Sequence, residues 1–116
     1  MTTRLLGAMG EQIAARSLRE KGYEIIAANY RTRIGEIDII ATKDKYICFV
    51  EVKTGKRGGY LNPRDNVDEP KQKRIKESAQ IYLAYKKTKL IGRFDIIEVL
   101  LSDNGSHEIT HIEDAF

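Results

Sequence analysis

The apolar positions change their spacing along the chain, and each change marks an element. From about Leu5 to Lys21 they are interspersed with charges among good helix formers, which predicts a first helix. Gly22 suits the left-handed position that ends it. The apolar residues then gather into short Ile- and Val-rich runs. "YEIIAANYRT" predicts a strand, and "EIDIIAT" with "YICFVEVK" predicts a hairpin turning near Lys43 to Lys45. The following "TGKRGGYLNPRDN" holds glycines, a proline and polar residues, and predicts a basic loop. A second helix follows, capped by Asp68 or a neighbour, with Pro70 in its first turn and Ile75, Ala79 and Tyr82 on one stripe. "RFDIIEVLL" and "EITHI" predict two later strands separated by the turn signal "SDNGS". The order α-β-β-β-α-β-β predicts an α/β sandwich, a central mixed sheet flanked by helices, in one domain over residues 1–116.

The central hairpin carries charges that its apolar character does not explain. Alternate strand residues face opposite sides, so Ile37, Ile39 and Ala41 share one face and Glu36, Asp38, Ile40 and Thr42 the other. Likewise Cys48, Val50 and Val52 oppose Phe49, Glu51 and Lys53. If both apolar faces meet one core, the register pairs Ile39 with Val50, Ile37 with Val52, Asp38 with Glu51 and Glu36 with Lys53. Asp38 and Glu51 would then be like charges with Cβ atoms roughly 4.5 to 5.5 Å apart, which is destabilising unless compensated. Two compensations are open. Lys53 and another basic residue can neutralise the pair as an ion network, or a divalent cation, Mg²⁺ or Mn²⁺, can bind between hard carboxylate oxygens. In the second case Glu36 is a further metal ligand, or it pairs with Lys53. A lysine beside the metal would hold or deprotonate an attacking water and offset charge on a phosphate. Glu11 shares the first helix's stripe with Gly7, Ala14 and Leu18, so it either turns toward the packed side or reaches solvent at its edge.

Composition narrows the class. Hydrophobic residues at 41% and charged residues at 32%, without a low-complexity tract, exclude a disordered chain. Nowhere do eighteen apolar residues run together, so no membrane partner is expected. Cys48 is the single cysteine, which excludes an internal disulfide and a cysteine-based zinc site. Its apolar setting suits a buried thiol in a reducing cytoplasm. His107 and His111 are four apart in a turn and strand, where that spacing makes no helical metal pair, and are read as structural or surface residues. The net charge of +3 is small, but Lys53 to Arg93 holds twelve Lys and Arg against four Asp and Glu. That block suits a polyanionic partner or a solvated helix face.

The acidic hairpin with "EVK" resembles the PD-(D/E)xK nuclease superfamily, whose restriction-endonuclease-like sandwich carries its motif on such a hairpin. Asp38 matches the first acidic position and Glu51 to Lys53 the second half, while Ile37 stands where the superfamily has proline. Glu11 is similar to the helix-1 glutamate of the archaeal Holliday junction resolvases. The whole chain resembles the YraN family of uncharacterised bacterial proteins through "GAMGEQIAARSLREKGY", "NYRTRIGEIDIIA", "FVEVKTG", "RFDIIEV" and "HIEDAF".

The resemblance implies metal-dependent hydrolysis of DNA phosphodiesters, with a preference for branched or distorted DNA taken from the resolvases. Asp38, Glu51, Lys53 and Glu11 would be catalytic. Asp95 either faces the same site or makes a sheet-edge ion pair. Lys56, Arg57, Tyr60 and Arg64 of the basic loop, with Lys71, Gln72, Lys73 and Arg74 at the start of the second helix, would contact phosphates. Two rivals stand beside this expectation: a non-catalytic nucleic-acid-binding accessory protein in DNA uptake or repair, and a protein–protein interaction module. A homodimer would widen a footprint that 116 residues make small.

Overall fold

Thr2 starts the first helix, α1 (Thr3–Glu20), by accepting the Leu5 amide on its hydroxyl at 3.2 Å. Gly22 follows the helix at φ 92°, the left-handed conformation that its sequence position predicts. The computed structural model describes residues 2–58 and 67–116. Tyr60 and Arg64 lie outside the described residues.

The strands are β1 (Glu24–Arg31), β2 (Glu36–Lys43), β3 (Tyr46–Lys56), β4 (Ile91–Leu101) and β5 (His107–Ile112). The second helix, α2 (Glu69–Lys86), joins β3 to β4. This is the predicted element order. The five strands form one mixed open sheet in sequence order, antiparallel except for the β3–β4 pair. A parallel pair needs a crossover, and α2 supplies it. The basic loop begins later than expected. Thr54, Gly55 and Lys56 continue β3 because each has a partner in β4, from Thr54 opposite Val99 to Lys56 opposite Leu101. A non-local partner of that kind leaves no mark on a stretch containing glycine.

Both faces of the sheet are buried. Ala14 and Leu18 of α1 pack with Ile39, Ala41, Cys48, Val50 and Ile97. Ile75 and Ala79 of α2 pack with Ile37, Ile40, Phe49 and Ile96 on the other side. The hairpin alternation therefore separates two cores rather than a core from solvent, and Ile40 and Phe49 lie under α2. It also breaks at Asp38, because Ile37 and Ile39 join different clusters. Asn29, beside this point on β1, has φ 50°, a left-handed conformation that asparagine tolerates. Ala28 pairs with Ile39 and Tyr30 with Ile37, leaving Asn29 and Asp38 between them outside the matched rungs.

The close approach of α1 to the sheet is made at Gly10, whereas a Cβ on Gly7 would meet nothing within 4 Å. A Cβ on Gly10 would lie 1.7 Å from Thr54 Oγ1 and 2.8 Å from Thr54 Cβ. Gly→Ala in a helix ordinarily stabilises by up to about 1 kcal/mol. Here the clash decides the sign, and Gly10→Ala is expected to destabilise by about 1–3 kcal/mol as α1 is pushed off β3. A thermal melt unchanged or raised by the substitution would contradict this packing.

Candidate metal and phosphate site

The β2–β3 ladder runs from the Lys43–Tyr46 rung to the Ile39–Val50 rung. The register is the predicted one, but the expected rungs beyond it are replaced by a side chain. Asp38 Oδ2 accepts the Val52 amide at 2.8 Å, so a carboxylate fills the place of a ladder acceptor. The β1–β2 turn that leads into Asp38 is tied to α2, since Thr32 Oγ1 takes the Ile34 and Gly35 amides and lies 3.0 Å from Ser78 Oγ.

Asp38 and Glu51 come together here, lining a cleft of about 210 Å³ with Gly35, Glu36, Lys71 and Arg74. Glu51 is buried, 6% exposed, and two lysines converge on its Oε1: Lys71 Nζ at 2.7 Å and Lys53 Nζ at 3.3 Å. Lys71 is placed by the cap of α2, where Asp68 Oδ1 accepts its amide at 3.0 Å. Burial first, then the Glu51 charge, pushes the Asp38 carboxyl up to about 8. Burial also raises Glu11, and hydrogen bonding between the Glu11 and Asp38 carboxyls favours the proton on Asp38. Lys53 is lowered, chiefly by burial and then by its contact with Lys71. Burial opposes the charge on Lys71, but the contact with Glu51 holds its pKa above the ordinary lysine value.

Glu11 reaches this site from α1, lining the adjoining groove with Asp38 and Glu51. Glu36 lines both spaces, yet its carboxylate is 3.7 Å from Arg31 Nε across the β1–β2 ladder. The expected Glu36–Lys53 rung is absent because β1, not β3, is the strand paired with Glu36. Among the described residues no three His, Cys, Asp or Glu side chains form a ready-made metal cage. The donor set nonetheless suits a hard divalent ion, which commonly takes one or two carboxylates and completes its shell with water and phosphate oxygens. A carboxyl raised to about 8 by desolvation and then by a neighbouring carboxylate is also one whose charge a cation would relieve.

The expected phosphate contacts divide. Arg74 lines the carboxylate cleft and Lys73 is exposed on α2. Lys71 is drawn inward to Glu51 rather than left at the helix surface. Gln72 donates to the Val67 carbonyl at 2.9 Å and lines a separate hollow with Ile96 and Phe116. Arg57 bonds Glu108 of β5, and Lys56 lines another groove with Met9 and Leu101. These three are therefore not gathered at the carboxylates.

Asp95 is fully buried and does not join this site. It lies on interior strand β4, not at a sheet edge, and accepts Arg93 Nε and Nη2 at 2.9 and 2.8 Å. His111 Nε2 lies 2.8 Å from Asp95 Oδ2, and the Asp114 amide donates to Oδ1 at 3.0 Å. Arg93 also donates to the Tyr23 hydroxyl at 2.7 Å, and Lys21 Nζ is 3.0 Å from His111 Nδ1. His111 is thus structural, as its sequence setting suggests. The sequence signal for the ion pair is Arg93 two residues before Asp95, a spacing that puts both on one strand face. Cys48 is buried, and burial pushes its thiol up to about 11, which leaves it unreactive.

No helix among the described residues is long and apolar enough to cross a membrane. The family model for Uncharacterised protein family UPF0102 matches residues 10–99. A UPF0102 protein of Chlorobaculum tepidum is 50% identical, over 96% of this chain and 91% of its own length. One of Alkaliphilus oremlandii is 45% identical over 96% of this chain and 97% of its own. One of Caldicellulosiruptor bescii is 42% identical over the whole of both. The chain belongs to the uncharacterised protein family UPF0102, the YraN family that its motifs resemble.

Proposed function

We propose that the protein is a metal-dependent endonuclease, with a restriction-endonuclease-like fold of the PD-(D/E)xK type, that hydrolyses DNA phosphodiesters. The observation that carries this reading is half-buried Asp38 beside buried Glu51, with Lys53 and Lys71 converging on one Glu51 oxygen. A purely structural ion pair needs one cation for Glu51, and the Val52 amide needs only a neutral acceptor, so neither uses the charge of a second acid held with a raised pKa beside it. Asp38 and Glu51 would hold Mg²⁺ or Mn²⁺, with Glu36 beside them and Glu11 orienting water from α1. The ion would supply a Lewis acid and a more acidic bound water. Lys53, with its lowered pKa, is suited to position the attacking water and take part in its deprotonation. Lys71 and Arg74 would offset charge building on the phosphate's non-bridging oxygens.

The test incubates purified protein with supercoiled, single-stranded and four-way-junction DNA, in Mg²⁺, Mn²⁺ or chelator. Metal-dependent cleavage is expected, strongest on the junction, with Asp38→Ala and Lys53→Ala each reducing it by about 10²–10⁴-fold. Cleavage that persists in both variants would overturn the assigned site. Binding that falls steeply with salt, without cleavage, would replace this reading with the accessory binding protein.

A further inference from the structure

A second basic surface lies on the opposite side of the carboxylates from α2. A groove of about 690 Å³ runs between α1 and β1, and Glu11 and Asp38 line it together with Gln12, Arg16, Arg19 and Asn29. We propose that this groove carries the phosphate backbone of a nucleic-acid strand that continues past the carboxylate site. The proposal rests on the nuclease reading above and adds where the strand goes.

Gln12, Arg16 and Arg19 recur at i, i+4 and i+7, so they share one face of α1 and span about 10 Å of its length. Both arginines are exposed, and among the described residues neither is in an ion pair, in contrast to Arg31, Arg57 and Arg93. Alanines at 8, 15 and 28 also line the groove, leaving room for a backbone to lie close. Asn29 borders this groove and the one that holds Glu36 and Glu51, so an amide donor stands at their junction. Its left-handed backbone falls at the point where the β1–β2 rungs skip Asp38. Arg4 lines that second groove as well.

Positive side chains therefore flank the carboxylates from two elements: Arg16 and Arg19 on α1, and Lys71 and Arg74 on α2. A strand following both would cross Asp38 and continue in each direction, so the substrate has nucleotides on both sides of the phosphate that is cut. Fork-shaped guanidinium groups free of carboxylate partners suit phosphate oxygens.

The experiment measures anisotropy of a fluorescein-labelled 30-nucleotide single strand and a labelled four-way junction, in chelator, from 50 to 200 mM salt. The full-length protein is compared with Arg16→Ala/Arg19→Ala and with the charge-preserving Arg16→Lys/Arg19→Lys. The alanine pair is expected to weaken binding about tenfold and to flatten the salt dependence by about two. The lysine pair should restore the salt dependence. Metal-dependent cleavage by the same samples, with and without Lys53→Ala, separates the two readings. Wild-type affinity and salt slope in the alanine pair, with Lys53-dependent cleavage intact, would overturn the groove alone. Equal displacement of the DNA by poly-glutamate would also overturn it. A wild-type protein that neither binds nor cuts would overturn both.

Discussion

Asp95→Ala is expected to destabilise the protein by about 3–5 kcal/mol, lowering its melting temperature by roughly 10–25 °C. The cause is what remains behind. Arg93, whose side chain is only 13% exposed, would keep its charge and lose both bonds to the carboxylate, and His111 and the Asp114 amide would lose the same acceptor. Replacing both ends with apolar residues, Arg93→Met with Asp95→Leu, should cost less than either truncation, because no lone charge is left buried. The network also has a pH signature. Burial disfavours the Asp95 charge, but the bonds from His111, Arg93 and the Asp114 amide outweigh it and hold the carboxyl below its ordinary value. Its contribution is therefore present above the unfolded carboxylate range and lost as pH falls through the lowered folded value. Melting followed by circular dichroism from pH 7 to pH 3 would read both effects. An Asp95→Ala melt within a degree or two of wild type would contradict the buried network.

Asp38→Asn is expected to have the opposite sign, stabilising the metal-free protein while removing the proposed cleavage. The folded carboxyl sits at about 8, against an ordinary value of 3.8, so the folded state favours the proton. Stability linked to that proton is fully present below about pH 4 and is lost as pH rises through about 8. The amide of Asp38→Asn still offers an oxygen to Val52 N–H and carries no charge to desolvate. At pH 8.5 in chelator the variant should be more stable than wild type by on the order of 2 kcal/mol. Saturating Mg²⁺ should narrow the gap by stabilising only the wild type. A variant less stable than wild type in chelator would mean that the Asp38 charge is compensated within the protein, as in the structural ion network.

These two acids also show what the sequence makes legible. Asp38 and Glu51 fall on adjacent strands of one hairpin, so the register follows from periodicity and a short turn, and their meeting can be argued from local spacing. The rung itself could not, because the side chain of Asp38 takes over a backbone bond. Lys71 reads as a phosphate contact or solvated residue at a helix start, since its turn toward Glu51 depends on how the crossover helix lies on the sheet. Asp95 is left between the site and a sheet-edge ion pair because nothing local says that β4 lies between β3 and β5. Arg93 is local to it, but His111 comes from the last strand and the Asp114 amide from beyond it, while Tyr23 and Lys21, just after the first helix, hold Arg93 and His111 in turn, and only the closed fold brings those together.

The bond from Val52 to Asp38 Oδ2 bears on descent within the family. Asp38 serves the backbone as well as any reaction, so a lineage without the proposed cleavage would still be under selection to keep an acceptor there. Lys53 has no such second duty to the backbone among its described bonds, and Glu51 already has Lys71 at 2.7 Å. Drift at residue 53, with aspartate or asparagine kept at 38, is the pattern that would mark relatives that keep the fold without the proposed chemistry.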